Sequence, residues 1–148
     1  MEITLKPVND ENKAEVSQLS VRDDQPFIAS NARSLEQAEE EPEIARPFAI
    51  YAGDILVGFT MFAFEEDYED PESRYWLWRF MIDRNYQGKG YGKAALTEII
   101  KYFRENGANN ITLSAEPENT IGLKLYHQFG FKETGAMNDD EIELRLVL

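Results

Sequence analysis

The chain has 148 residues, 43% of them apolar, with 28 acids against 15 bases (net charge −13) and no cysteine. This is the length of one domain with enough apolar material for a core; it excludes disulfides, thiolate metal sites and a cysteine nucleophile, and no stretch approaches the ~18 apolar residues of a membrane span. A field this acidic repels nucleic acid and anionic membranes and attracts cations, and the N-terminus has no basic-then-apolar signal pattern, so a cytoplasmic protein without membrane or nucleic-acid partners is the expectation.

In chain order, Ile3 and Leu5 alternate inward within residues 2–6, a first strand. Asn9 or Asp10 is placed to cap a helix running to about Leu19. Ser34, followed by Glu36 and Gln37, reads as the cap of a short helix to Glu41, with Pro42 and Pro47 marking its exit. Residues 48–52 and 55–64 are strands joined by a Gly53-Asp54 turn. The acidic stretch 65–72, containing Pro71, is a loop. Residues 74–83 are apolar almost without a break, the pattern of a strand buried on both faces. Gly90 to about Asn106 is a helix with an apolar stripe of Ala94, Leu96, Ile99, Ile100 and Phe103, ended by Gly107. Residues 110–115 form a strand, and Asn119 caps a helix that carries Leu123, Leu125 and Tyr126 and stops at Gly130. Residues 131–134 and 142–148 close the chain as strands. The order β-α-α-β-β-β-α-β-α-β-β predicts a mixed sheet flanked by helices.

The charges are not spread evenly. Acids cluster at Glu36 to Glu43, Glu65 to Glu72 and Asp139 to Glu143, whereas Arg79, Arg84, Lys89 and Lys93 surround one glycine-rich loop. In that loop, Gln87-Gly88-Lys89-Gly90-Tyr91-Gly92, glycines at every second position let the backbone turn tightly and bare its N–H groups at a helix N-terminus. Diphosphate is the natural occupant. The dinucleotide fingerprint does not fit, because it needs glycines at a different spacing and an acid ending the next strand; the Walker pattern lacks its Gly-Lys-Ser/Thr. Alone, the loop is also readable as a turn that packs helix against sheet.

A second element lies about 30 residues downstream, Asn119 to Phe131. Together the two segments resemble the GNAT superfamily of N-acetyltransferases. The first matches the Arg/Gln-x-x-Gly-x-Gly/Ala motif as Gln87, Gly90 and Gly92; the second matches the Asn…Leu-Tyr-x-x-x-Gly-Phe motif as Asn119, Leu125, Tyr126, Gly130 and Phe131. Residues 80–86 fit the family's fourth strand. The resemblance implies an α/β (mixed α+β) fold whose central sheet, mixed but mostly antiparallel, has about seven strands and about four helices around it.

The same resemblance implies acetyl-CoA as co-substrate and no metal. Backbone groups of Phe80, Met81 and Ile82 would pair with the pantetheine arm as with an added strand. Amides of Gly88, Lys89, Gly90, Tyr91, Gly92 and Lys93 would bind pyrophosphate, with Gln87 in the same motif. Asn119 would contact the cofactor arm, and Tyr126 would stand near the sulfur as general acid to the leaving thiolate. Many relatives carry an acidic base on the fourth strand; the matching position here is Trp78, so a base must come from elsewhere, with Glu66, Asp67 or Glu69 as candidates directly or through water. His127, the single histidine, follows Tyr126 and points away from it.

The run 75–83 with its acidic upstream loop is similar to bacterial spermine/spermidine acetyltransferases. Charge agrees in direction: acidic clusters steer a polycation, and Phe27, Trp76 and Trp78 could pack its methylenes or cations. Glu36, Glu40 and Glu66 are the candidate ammonium anchors. Another amine (an aminoglycoside, an amino acid or a protein N-terminus) fits the same motifs, and a non-catalytic acyl-CoA sensor fits them less well because it has no use for Tyr126. Oligomeric state is not legible, although homodimers are common in the family it resembles.

Overall fold

A computed structural model describes residues 2–25 and 30–148. Its elements follow the expected order: β1 (Ile3–Pro7), α1 (Lys13–Gln18), α2 (Asn31–Glu40), β2 (Ala45–Ala52), β3 (Ile55–Phe64), β4 (Tyr75–Ile82), α3 (Tyr91–Glu105), β5 (Asn110–Ala115), α4 (Thr120–Gln128), β6 (Lys132–Asn138) and β7 (Glu141–Val147), with a 3-10 turn at Pro71–Ser73. The strands form one sheet in the order β1-β2-β3-β4-β5-β7-β6. Every pairing is antiparallel except β4 with β5.

Two apolar layers hold the helices to the sheet. On one face α3 presents Leu96, Ile99 and Phe103 to Phe62, Phe64, Ile111 and Leu113; Phe62 and Phe103 meet edge-on with centroids 4.8 Å apart. On the other face α1 and α2 place Val16 and Leu35 against Ala49, Phe59, Met61 and Met81. Full burial of side chains this size is worth roughly 1.5–3 kcal/mol each. Pro47 is tolerated inside β2 because its carbonyl, and so its missing N–H, faces the side where β1 has ended: that carbonyl accepts from Val8 N at 3.0 Å.

Four local expectations change. The cap of α2 is Ser30, whose hydroxyl accepts from Arg33 N at 3.2 Å, rather than Ser34. Ser34 is fully buried, donates to the Ser30 carbonyl and accepts from Arg79, contacts that no local pattern encodes. Asn9 caps a leading turn, accepting from Glu11 N and Asn12 N, and the helix proper begins at Lys13 with Asn12 as its N-cap. Finally, β4 is only half buried along most of its length, against the expectation of burial on both faces; among its residues only Leu77 and Met81 are buried. The closing hairpin is longer than expected, with β6 reaching Asn138 and the turn made by Asp139, whose φ is 55°.

Candidate active site

The partial exposure of β4 has a topological cause. Its pairing with β5 has a single register partner, Trp76 with Thr112, whereas its pairing with β3 runs from Tyr75 to Ile82. Beyond Trp76 the two strands part and leave a cleft. The closed end is fastened by the segment before β4. The Glu72 carbonyl accepts from Thr112 Oγ1 at 3.0 Å and from Asn110 Nδ2 at 3.4 Å, and its carboxylate pairs with Arg145 at 3.0 Å. Arg145 also donates to Thr112 Oγ1 at 3.0 Å, and the Trp76 indole donates to the Ser73 carbonyl at 3.0 Å. A bulge sits just inside the cleft: Met61 pairs with Arg79 and Phe62 with Leu77, so Trp78 is the extra residue.

A cavity of about 270 Å³ follows the open side of β4. Phe80, Met81 and Ile82 form one wall, Ile121, Gly122 and Leu125 of α4 the other, and Gln87, Gly88 and Gly92 the far end. The far end is built for an anion. Gly88 and Gly90 have φ of 75° and 86°, which L side chains rarely adopt, and Gly90 N-caps α3 with no side chain occupying the first-turn amides. A strand edge with no partner among the described residues, an apolar wall and a turn of bare amides at a helix start suit an elongated molecule with amide groups along its length and phosphates at its end.

Two side chains, the motif residue Gln87 and the buried Asp83, hold this loop in place. Gln87 Nε2 donates to the Ile82 carbonyl at 2.9 Å and to Gln25 Oε1 at 3.0 Å. Asp83, 5% exposed, accepts from Ser20 N at 2.9 Å and Asn85 N at 3.2 Å. Together they tie the end of β4 to the chain after α1 and bring Val21, Arg22 and Gln25 to the cavity rim.

A second cavity, of about 220 Å³, is lined by Trp78 and Arg79 from β4, Ser114 and Glu116 from the end of β5, and Glu141 from the start of β7. Phe80, Asn119 and Tyr126 line both cavities, so the two meet at these residues. Asn119 Oδ1 accepts from Gly122 N at 3.0 Å as the N-cap of α4. Tyr126 is buried against Phe131, ring centroids 5.6 Å apart, and burial pushes its phenol well above the ordinary value. It therefore keeps its proton throughout the neutral range. Arg79 donates to Ser34 Oγ at 3.2 Å, Gln37 Oε1 at 2.9 Å and the Trp78 carbonyl at 2.8 Å. Burial pulls its guanidinium below its ordinary value, and the Glu141 carboxylate pulls in the opposite direction.

The structure thus brings together Phe80, Met81, Ile82, Gln87, Gly88, Gly92, Asn119 and Tyr126 around one cavity, with Trp78 on the other. Gly90 and Tyr91 start α3 beside it, and Lys89 and Lys93 are exposed nearby. The acidic anchors read from sequence lie elsewhere. Glu36 is exposed on α2 and paired with Arg33 at 3.3 Å, Glu40 is exposed at the helix end, and Glu66 is exposed 3.8 Å from Arg46. Trp76 sits at the closed end of the cleft, and Phe27 falls outside the described residues. His127 is exposed, its Nδ1 3.2 Å from the Phe131 carbonyl. Glu141 and Glu116 were missed as site residues; one belonged to an acidic cluster and the other to an unremarkable loop, and only the fold brings them to Tyr126. Among the described residues no three potential metal ligands gather, and no helix is long and apolar enough to cross a membrane.

Comparison with known proteins adds four findings. The model of the Acetyltransferase (GNAT) family matches residues 4–131. The chain is 37% identical over 142 residues to the spermine/spermidine N(1)-acetyltransferase of Bacillus subtilis (strain 168), covering 93% of each protein. Its fold superposes with a TM-score of 0.73 on spermidine N-acetyltransferase from Vibrio cholerae in complex with CoA and spermine, at 17% identity and covering 98% of this chain and 95% of that one. A TM-score of 0.74 is found with the PaiA N-acetyltransferase from Thermoplasma acidophilum in complex with coenzyme A, at 18% identity over the full length of both.

Proposed function

This chain belongs to the acetyltransferase (GNAT) family, whose members draw the acetyl group from acetyl-CoA, and from that premise we propose that it acetylates a primary amine of a polyamine such as spermidine or spermine. The observation that carries the proposal is the meeting of the two cavities at Tyr126, with bare amides at the far end of one and the Glu116 and Glu141 carboxylates in the other. The 37% identity to a spermine/spermidine acetyltransferase over 93% of the chain supports the same acceptor class.

The chemistry then follows from the residues in place. The donor's arm lies along Phe80 to Ile82, its phosphates on the amides from Gly88 to Lys93 with Gln87 bracing the turn, and its thioester beside Tyr126. Backbone N–H groups of β4 near the bulge polarise the thioester carbonyl. The amine enters from the side of Trp78, whose ring packs its methylenes. Because both reactants are held against each other, transfer is direct and needs no covalent enzyme species. Tyr126, kept protonated by burial, gives its proton to the departing thiolate.

Arg79 supports one alternative acceptor, an amine that also carries a carboxylate, because this basic residue lines the same cavity. The test is release of CoA thiol from acetyl-CoA across a panel of spermidine, spermine, aminoglycosides and amino acids. The polyamines are expected to turn over fastest. Turnover of amino acids or aminoglycosides with none on polyamines overturns the assignment.

A further inference from the structure

Amines reach the enzyme mostly as ammonium ions, with a pKa near ~10, and an ammonium has no lone pair with which to attack. A transfer site therefore needs a group that takes one proton before attack. On β4 the bulged position inside the cleft is Trp78, which cannot. Glu65, Glu66 and Asp67 of the loop before β4 line a separate pocket, and no acid of that loop lines the cavity that ends on Tyr126. Two carboxylates line the cavity that ends on Tyr126: Glu116 and Glu141.

We propose that Glu141, reaching across the cleft from the first residue of β7, is the base that deprotonates the acceptor amine. The inference rests on the acetyltransferase reading but not on the identity of the amine. Three observations separate Glu141 from Glu116. First, Glu141 is fixed: Ser114 Oγ donates to its Oε1 at 2.8 Å, which leaves Oε2 to accept a proton. A base oriented by a third group has the geometry that acid–base catalysis requires. The Glu116 side chain has no such bond among the described residues. Second, β7 alternates. Ile142, Leu144 and Leu146 pack into the core below, so Glu141 stands on the opposite face with Trp78 and Arg79. Third, Arg79 lies near enough for its charge to be felt. A fixed guanidinium disfavours a second cation, which eases proton loss from a bound ammonium.

The charged and titratable groups facing Glu141 are Arg79 from β4, Glu116 from the end of β5 and Tyr126 from α4. Glu143, two residues along the same face, is already taken by Thr134, Asn138 and Arg145. The proton balance is complete. One ammonium proton passes to Glu141 and on to solvent. The nitrogen forms its bond to the acetyl carbon, the carbon–sulfur bond breaks, and Tyr126 protonates the sulfur. The second nitrogen proton restores Tyr126, so the products are the amide, CoA thiol and one released proton.

The test compares wild type, Glu141→Gln, Glu141→Asp and Glu116→Gln, using the amine the wild type accepts best. Acetyl-CoA affinity is measured by titration, and kcat and kcat/KM from pH 6 to 10. For Glu141→Gln we expect acetyl-CoA affinity within about twofold of wild type and kcat at pH 7 lower by about 100-fold. The deficit should shrink steadily toward pH 10, where the free amine is abundant, and Glu141→Asp should recover part of it. A pH-independent deficit overturns the proposal, as does a rise in KM alone, which would make Glu141 only an ammonium anchor. The same profile in Glu116→Gln with none in Glu141→Gln assigns the base to Glu116 and overturns it too. Should polyamines fail as substrates while another amine works, the specificity reading falls and this test proceeds on that amine; a wild type inert toward every amine overturns both.

Discussion

Tyr126→Phe isolates one atom. The ring keeps its packing on Phe131 and its place at the junction of the two cavities, and only the hydroxyl goes. Loss of a general acid costs about 10²–10⁴ in rate, or roughly 2.7–5.4 kcal/mol of barrier at 1.36 kcal/mol per decade. Fold stability should move by less than about 1 kcal/mol, because phenylalanine preserves the buried apolar surface. Donor affinity should change less than threefold, since the proposed binding mode holds the arm on β4 and the glycine loop. The assay is CoA release under saturating donor and acceptor, with acetyl-CoA affinity and urea unfolding measured on the same preparation. Thioesters with more acidic leaving thiols should narrow the gap, because a better leaving group depends less on its proton donor. A kcat within threefold of wild type refutes the reasoning, as does a loss of donor affinity equal to the loss of rate. The pH sign follows from burial. The folded phenol is raised above its unfolded value of about 10, so it remains protonated as pH climbs to that point, and no descending limb of the rate profile below pH 10 belongs to it. Stability is unaffected by this group below pH 10 and is lost as pH rises from there through the folded value.

Other changes separate roles that the structure joins. Asn119→Ala should cost about 1 kcal/mol of stability through loss of the α4 cap and weaken acetyl-CoA binding, whereas Asn119→Ser should keep the cap and still weaken binding; thermal melts and titrations read the two effects apart. Gly58→Ala places a Cβ against the Met81 carbonyl, and it should cost about 2 kcal/mol or more in urea unfolding while displacing the donor-side arm of β4. With a net charge of −13, the kcat/KM for spermine should fall several-fold from about 50 to 500 mM salt while kcat holds, and a salt-independent value would mean that the acidic surface does not steer the substrate.

Much of this architecture was legible in the chain because it is written locally. The bounds of β3 and β5 and the cap of α4 follow from alternation, from the Gly53-Asp54 turn and from Asn119. The cavity along β4 was legible because most of its lining comes from two short stretches, 80–92 and 119–126, whereas Val21, Arg22 and Gln25 come from a third. What was not legible depends on contacts between distant segments. Ser34 satisfies a capping pattern, yet it is turned inward to Arg79, 45 residues away. The apolar run of β4 is a good signal for burial, but β5 leaves it after one register step, and no local pattern reports where a neighbour stops pairing. Glu141 looks like any surface acid in the chain; the register of β7 against β5 pairs Ser114 with Glu143, and Glu141, on the diagonal, accepts from Ser114 Oγ at 2.8 Å.

The fastening at Glu72 marks a division that the single sheet conceals. Four strands lie on one side of the Trp76–Thr112 contact and three on the other, and little backbone ladder spans the two. The donor arm proposed for the free edge of β4 would do the work of an eighth strand, so donor occupancy should slow amide hydrogen exchange across the whole length of the split rather than at the glycine loop alone. Glu72→Ala, far from any reacting atom, would loosen the joint between the half-sheets and make the folded enzyme lean more heavily on its own co-substrate for rigidity.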